Sequence, residues 1–335
     1  MNYNDALNFI LSKQSLGIKP GLTRIKALLE SMGNPQNKIR IIHIAGTNGK
    51  GTVAKLINDA LIDAGYKVGL FTSPWIIDYT EQIQINNTFI SQDDFAKYVD
   101  ANRDNDCTEF EFLTAVMYKY FADSKVDYAV VECGMGGKSD STNVEKENIS
   151  VLTSISLDHT DFLGSTIEEI TKEKEGIIRD NCPCFRYNDT GDFNADNIDL
   201  ANRVLHYLGV GDAKPVKPVG RQQRIGNVLI DGGHNVEAGR VLAPIINNEI
   251  AVIGMMRDKD IDGYLSYVAP KCKKIICTNV DNKRAISAYE FSRYAKKYCD
   301  DVTVTDNPRQ AVKQDGVSLI CGSFYLLREI MDLLS

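Results

Sequence analysis

No stretch of this chain is apolar for long enough to cross a bilayer, and its first residues, Met1-Asn-Tyr-Asn-Asp, have neither the basic nor the apolar part of a secretory leader. Positive charge is in short supply. The 38 Lys and Arg against 45 Asp and Glu leave a net charge of −7, so no general binder of nucleic acid or anionic membrane is expected. Paired cysteines are missing too. Cys107, Cys133, Cys182, Cys184, Cys272, Cys277, Cys299 and Cys321 show no Cys-x-x-Cys spacing, and several sit inside apparent strands. They read as small buried apolar residues of a reduced, cytoplasmic protein, with Cys182-Pro-Cys184 as a loop. There is no internal repeat and no low-complexity segment. What is present is the composition of a globular protein, 43% apolar and 25% charged over 335 residues, which is length enough for two domains.

The most informative stretch is Ile41-Ile-His-Ile-Ala-Gly-Thr-Asn-Gly-Lys-Gly-Thr52. A short apolar run ends in a glycine-rich turn, after which Val53, Leu56, Ile57, Ala60, Leu61 and Ala64 fall on one helical stripe that Gly65 can close. Strand, glycine turn and helix together hold phosphates, because backbone N–H groups and the positive helix end meet the anion. Gly46, Thr47, Asn48, Gly49, Lys50, Gly51 and Thr52 are therefore the candidate nucleotide loop, with Lys50 reaching the outer phosphates and the Thr52 hydroxyl a magnesium ion. The usual Gly-x4-Gly-Lys spacing fails, since position 44 is Ile and Gly51 intrudes before the hydroxyl residue. An ordinary glycine turn with a surface lysine is the plain alternative. Small positions crowded round a lysine at a strand end favour the triphosphate loop.

In chain order, residues 2–12 and 22–32 have helical spacing around a turn at Gly17-Ile-Lys-Pro-Gly21, and Arg24 reads as a solvated residue. After the nucleotide unit come a short strand ended by Thr72-Ser73-Pro74, a polar loop region to about Asn87, a helix near 92–102 and another from Thr108. Glu109 and Glu111 lie in that helix's first turn, where the dipole favours acids. Asp127-Tyr-Ala-Val-Val-Glu132 is a buried strand running into a flexible loop, and the strand 149–156 leads to Leu157-Asp-His-Thr-Asp161. A helix spans 167–178, 179–192 is irregular, and a helix covers 195–208. Gly209 to Pro218 is the best boundary, dividing domains at 1–210 and 211–335. Beyond it strands near 227–230, 250–253, 274–278, 302–304 and 317–320 alternate with helices near 236–246, 287–298, 308–314 and 324–334.

This alternation predicts an α/β protein of two doubly wound domains, an N-terminal P-loop-type, mostly parallel sheet and a smaller C-terminal Rossmann-like domain. Ligands bind beyond the carboxyl ends of such strands. Gly46–Thr52, Ser73, Glu132 and His159 each follow a strand end and converge on one edge. Taken singly they read as turn residue, salt-bridge partner and core histidine. Together a hydroxyl, a carboxylate and an imidazole offer an open magnesium site, the histidine being its least expected member.

With those residues in view, the chain resembles the folylpolyglutamate synthase/dihydrofolate synthase branch of the Mur ligase superfamily. The resembling motifs are His43 to Thr52, Thr72-Ser-Pro74, Glu81-Gln-Ile83, Phe110-Glu-Phe112, Glu132-Cys-Gly-Met-Gly-Gly137, Asp140-Ser-Thr-Asn143, Leu157-Asp-His-Thr160, Glu173-Lys-Glu-Gly-Ile-Ile178, Gly220-Arg221, Asp231-Gly-Gly-His-Asn235, Asp258-Lys-Asp260 and Gly322-Ser-Phe-Tyr-Leu326. The resemblance implies an ATP-dependent ligase adding L-glutamate to a pterin acceptor through an acyl phosphate, with an ATP-binding first domain and a glutamate-ligase second one. It implies Ser73, Glu132 and His159 as magnesium ligands and Lys174 as a carbamate holding a second magnesium, with Lys50, Lys174 and His159 the catalytic groups. Asn197, Arg221, Asp231 and His234 fall to the nucleotide. Gly21, Leu22, Thr23, Arg24, Glu111, Phe112, Leu113, Thr114, Asp140, Ser141 and Thr142 fall to the pterin. The expected partners are small molecules alone (ATP, L-glutamate, pterin or folate), and the expected state is a cytoplasmic monomer.

The chain departs from the family at Trp75, commonly histidine, at Lys138, commonly arginine, and at Gly233 and Val236, commonly Ala and Pro. It is also short for the family after Ile178. A sister ligase with another carboxylate acceptor, or a retired nucleotide-binding protein, are the alternatives these departures leave open.

Overall fold

The computed structural model describes residues 1–17, 19 and 21–334, in two compact units, Met1–Val216 and Lys217–Ser335. The turn expected over 17–21 includes Ile18 and Pro20, which lie outside the described residues. The first unit has strands β1 (Arg40–Ala45), β2 (Val68–Phe71), β3 (Ile83–Ile85), β4 (Thr88–Phe89), β5 (Tyr128–Glu132), β6 (Ile149–Leu152) and β7 (Cys184–Arg186). Their order is β4-β3-β2-β5-β1-β6-β7, parallel from β2 to β7 and antiparallel at the β3–β4 end.

The central strands are apolar at nearly every position because helices cover both faces. Ile42, Ile44, Val68, Leu70, Val130 and Val151 pack on one side with the helices Lys50–Asp63 and Phe193–Tyr207. Ile41, Phe71, Ala129 and Val131 pack on the other with Tyr3–Ser12, Thr23–Ser31, Gln92–Asp100 and Glu109–Asp123. The chain leaves β1 toward β2 on one side of the sheet and leaves β6 toward β7 on the other. Those two neighbouring strands therefore open a crevice at their carboxyl ends, the topological switch point where ligands bind.

Helix starts follow their capping signals. Thr108 and Glu111 form a reciprocal capping box, as do Thr166 and Glu169, and Ser91 accepts from Asp94 N.

Several expectations need correcting. The polar region before Asn87 contains the β3–β4 hairpin, closed by Asn86 and Asn87 at φ 48° and 62°, the left-handed pair that a tight hairpin turn demands. The segment 179–192 holds β7, a three-residue edge strand too short to show a period. The strand expected to reach residue 156 stops at Leu152, where the backbone turns to meet the nucleotide loop.

The second unit has strands β8 (Gln223–Ile225), β9 (Val228–Asp231), β10 (Glu249–Ile253), β11 (Cys272–Thr278), β12 (Val302–Thr305) and β13 (Leu319–Cys321), in the order β12-β11-β10-β13-β9-β8. Strands β10, β11 and β12 wind outward and β13 returns beside β10, the doubly wound pattern. Only β8 is antiparallel. That strand and the helix Ile261–Val268 were not anticipated. The helix carries Gly263, a poor helix former. No described helix is long and apolar enough to cross a membrane.

Gly69 on β2 gives a direct check of the packing. A Cβ there would lie 2.8 Å from three atoms of the Phe121 ring. Gly69→Ala is expected to lower unfolding free energy by about 1–3 kcal/mol in urea titration. An unchanged midpoint would show that helix and sheet are looser than described.

Candidate active site

The nucleotide loop is laced to the chain leaving β6. Gly46 has φ 153°, and a Cβ on it would sit 1.8 Å from Thr153 Oγ1, so the backbone approaches too closely for a side chain. Thr47 N donates to Ser154 O at 2.7 Å, and Thr47 Oγ1 donates to Ser156 O while accepting from Ser156 N, both at 3.1 Å. Gly49, at φ 88°, turns the chain into the helix starting at Lys50. Lys50 Nζ folds back to donate to Gly46 O and Thr47 O at 3.2 Å each, and stands 4.0 Å from Glu132 Oε1.

Behind the loop lies Asn197, fully buried, with neither carboxamide atom hydrogen-bonded. Its Oδ1 is 2.5 Å from where a Gly49 Cβ would stand. Asp192 caps its helix, while Asp196 takes hydrogen bonds from Thr190 N at 3.0 Å and Thr190 Oγ1 at 2.6 Å. An orphaned buried amide costs free energy, so its presence against a phosphate-type loop points to a ligand.

Lys174, 3% exposed, donates from Nζ to Gly46 O at 2.7 Å. Burial first, and then the neighbouring Lys50 charge, lowers its pKa to about 7, so near neutrality a large share of the amine is uncharged. Glu132, buried at the end of β5, accepts from Ser73 N at 3.3 Å. His159 lies at φ 52° at the head of the short helix Thr160–Leu163, with Nε2 3.9 Å from Asp158 Oδ2. Among the described residues no three His, Cys, Asp or Glu side chains gather as a metal cluster. The edge offers instead a serine and one carboxylate beside the phosphate loop. That donor chemistry fits magnesium, which binds through one or two carboxylates plus phosphates and keeps its waters.

After Glu132 the chain forms a tight glycine loop. A Cβ on Gly137 would lie 2.6 Å from Lys174 O, and Lys138 N donates to Glu173 O at 2.7 Å. Asp140 folds the loop on itself, accepting from Met135 N at 2.7 Å, Thr142 N at 3.0 Å and Thr142 Oγ1 at 2.6 Å. Ser141 Oγ is 3.4 Å from Thr114 Oγ1.

Arg24 is not a merely solvated residue. Its Nη2 is 3.0 Å from Glu111 Oε1 and its Nε donates to Glu111 Oε2 at 3.2 Å. Glu111 is thus both helix cap and ion-pair partner, as its burial requires. Thr23 opens the helix that carries Arg24, Gly21 has φ 105°, and Leu22 packs on the core. Phe112 and Leu113 lie in that core, Phe112 with its ring 5.5 Å from Phe9, so Glu111 and Thr114 alone of their group make polar contacts. Trp75 sits edge-on to Tyr79 at 6.0 Å.

In the second unit Arg221 and His234 flank Phe324, and Asp231 ends β9. The Arg221 guanidinium is 4.6 Å from the Phe324 ring centre, and the His234 ring stands edge-on to it at 6.2 Å. Asp231 accepts from Gln222 N at 2.9 Å and Gly233 N at 2.7 Å, and burial raises its pKa.

Sequence reasoning passed over the buried residues beneath the 133–145 loop, chiefly His43, Glu145 and Arg179. Burial opposes a charge on His43, yet its pKa is raised well above the usual value by Cys133 and Glu145. The Cys133 thiol is itself pushed up by burial and stays neutral near pH 7, so the charge that matters there is Glu145's.

Comparison with known proteins agrees with this geometry. The Mur ligase middle domain matches residues 44–184, and the Mur ligase glutamate ligase domain matches 218–324, one in each unit. The chain belongs to the Mur ligases. Within them, the relatives it matches carry the names dihydrofolate synthase and folylpolyglutamate synthase. It is 44% identical over 192 residues to a dihydrofolate synthase/folylpolyglutamate synthase of Bacillus subtilis, covering 54% of this chain and 45% of that protein. The chain thus spans less than half the length of that relative. With the enzyme of the same name from Haemophilus influenzae it is 29% identical over 418 residues, covering 96% of this chain and 95% of the relative. That span exceeds the 335 residues here, so the relative carries internal segments that this chain lacks. A bifunctional folylpolyglutamate synthase/dihydrofolate synthase from Yersinia pestis, solved with AMPPNP and a manganese ion, superposes with a TM-score of 0.88 at 26% identity over 100% of this chain and 98% of that one.

The orphaned amide gives a two-sided expectation. Asn197→Leu removes an unsatisfied buried group, and should stabilise the ligand-free protein by about 1–3 kcal/mol in urea titration. The same change should weaken binding of a fluorescent ATP analogue by roughly 10-fold or more, as loss of a direct hydrogen-bonding partner does. Loss of stability without loss of affinity would place Asn197 outside the nucleotide site.

Proposed function

We propose that this chain is an ATP-dependent amide ligase joining L-glutamate to the carboxylate of a pterin acceptor, dihydropteroate or a reduced folate. The observation that carries the reading is the pairing of Lys50 and Lys174 on one loop carbonyl, Gly46 O, beside Glu132. Such chemistry needs charge neutralisation more than a protein nucleophile. An acceptor carboxylate oxygen attacks the γ-phosphorus of ATP and ADP leaves. The glutamate amine then attacks the acyl carbon, an amide forms, phosphate leaves, and the amine's surplus protons pass to solvent.

In this reading Gly46–Thr52, Asn197, Arg221, Asp231 and His234 bind nucleotide, Lys50 at the outer phosphates. Ser73, Glu132 and His159 would hold magnesium, which when bound neutralises the phosphoryl oxygens. As a carbamate, formed by adding carbon dioxide with loss of one proton, Lys174 would offer an anion in place of a cation and would hold a second magnesium. Its uncharged share near pH 7 is what that addition requires. Gly21–Arg24, Glu111–Thr114 and Asp140–Thr142 face the acceptor, with Phe112 and Leu113 supporting from the core. The first and second units, which divide within the expected Gly209–Pro218 boundary, act as the ATP-binding and glutamate-ligase domains of a cytoplasmic monomer working on small molecules. A sister ligase using another carboxylate is the second reading, favoured by Trp75, Lys138 and the shorter chain.

The test is phosphate release from ATP with magnesium and L-glutamate, comparing dihydropteroate with tetrahydrofolate. Turnover with the first alone defines a dihydrofolate synthase, and with both a bifunctional enzyme. No turnover with either, while ATP still binds, passes the bet to the second reading. Lys174→Ala should slow the reaction by roughly 10²–10³-fold, the usual loss of one transition-state charge contact. An unchanged rate removes the carbamate role.

A further inference from the structure

Beneath the Asp140–Thr142 loop lies a buried polar network that the proposed chemistry does not use. His43 is on β1, three residues before Gly46, in register with Val131 and Ser150. It is fully buried, as is Thr142, and Glu145 is nearly so. His43 Nδ1 is 2.9 Å from Glu145 Oε1, and His43 Nε2 is 2.8 Å from Thr142 Oγ1 and 3.1 Å from Cys133 Sγ. Glu145 Oε1 also accepts from Asn148 Nδ2 at 2.7 Å and stands 3.5 Å from Arg179 Nη2. Arg179 Nη2 donates to Asn143 Oδ1 at 2.5 Å and Nη1 to Gly176 O at 3.2 Å.

Proton placement follows from counting donors. Asp140 accepts two backbone N–H groups, so its oxygens are acceptors, and the single Thr142 hydroxyl hydrogen goes to Asp140 Oδ1 at 2.6 Å. Thr142 Oγ1 must then accept from His43, which puts a hydrogen on Nε2. Nδ1 faces the Glu145 carboxylate, which offers only lone pairs, and Asn148 Nδ2 at 3.4 Å, whose two hydrogens go to Glu145 Oε1 and Ile177 O, which puts a hydrogen on Nδ1 too. The ring is an imidazolium, and along the row Asp140, Thr142, His43, Glu145, Arg179 the four charged members alternate in sign and sum to zero, with the neutral Thr142 hydroxyl between the first two. An unpaired charge would not survive such burial; a paired row does, with Glu145 bonded through Oε1 while its buried Oε2 takes no hydrogen bond.

We propose that His43 is a positioning residue for the acceptor-side loop: charged through Glu145, it donates to Thr142 and so holds Asp140-Ser141-Thr142 in one arrangement relative to the strand that carries the nucleotide loop. This rests on the reading of that loop as the acceptor's. Glu145→Gln isolates the charge. A glutamine oxygen still accepts from Nδ1, but without the counter-charge the ring gives up its second proton, and Nε2 becomes an acceptor. The Thr142 hydroxyl then turns from Asp140 to the ring, and the loop loses its closing bond.

Two measurements decide it. Nitrogen-15 spectra of histidine-labelled protein, with the signal assigned by His43→Gln, should show both His43 ring nitrogens protonated in the wild type and one in Glu145→Gln. Kinetics of Glu145→Gln should show KM for the pterin acceptor raised roughly 10-fold, with KM for ATP within about twofold, as expected for a change that acts through one binding loop. A neutral ring in the wild type overturns the proposal outright. A charged ring with both KM values raised alike, or neither, overturns it too. Should the wild type turn over no pterin, the functional reading falls, and amide exchange decides separately. Faster exchange at Met135 and Thr142 in Glu145→Gln supports the proposal and equal exchange overturns it. Should Glu145→Gln fail to fold, Thr142→Val, which removes the hydroxyl and keeps the shape, must give the same KM split or the proposal is wrong.

Discussion

Two lysine amines converge on a single carbonyl oxygen, that of Gly46, and the site depends on what this does to each. Lys50 lies over its own loop and Lys174 comes up from below, out of water. A buried cation beside another cation is unfavourable, and the cheapest relief is for the more buried one to lose its proton. The same closeness that would destabilise a lysine pair therefore supplies an amine able to react. Gly46 makes this possible because no side chain intervenes between its backbone and Thr153.

Around that carbonyl the loops brace one another rather than standing alone. The chain after β6 holds Thr47 and Asn48, the helix bearing Lys174 is pressed against Gly137, and Asp140 folds the next loop back on Met135. Each brace is a backbone contact that only glycine or a short polar residue permits, so the site is built from main chain and tuned by a few charges. The His43–Glu145 pair extends the bracing underneath, into the strand that starts the nucleotide loop. Such a charged row, anchored to the sheet only through His43, fixes loop geometry rather than adding raw stability.

Much of this was legible in the sequence. The apolar runs of β1, β2, β5 and β6 announced buried parallel strands, the glycine turn at 46–52 announced a strand–turn–helix unit, and Thr108 marked a helix start through its own side chain. These features are local, since each depends on residues within one turn or one strand. The short edge strands β7 and β8 and the helix Ile261–Val268 escaped, because three to eight residues hold too little periodicity to read.

By itself, then, the sequence determined the alternation of strand and helix, the glycine loop at 46–52 and the family motifs, all of which are carried by neighbours along the chain. Only the tertiary structure decided the charges. Arg24 meets Glu111 across 87 residues, His43 meets Glu145 across 102, and Lys174 meets Gly46 across 128. Whether a lysine is solvated or stripped of water, and whether a histidine is neutral or charged, depends on burial and on partners that arrive from distant segments. Residue type carries neither.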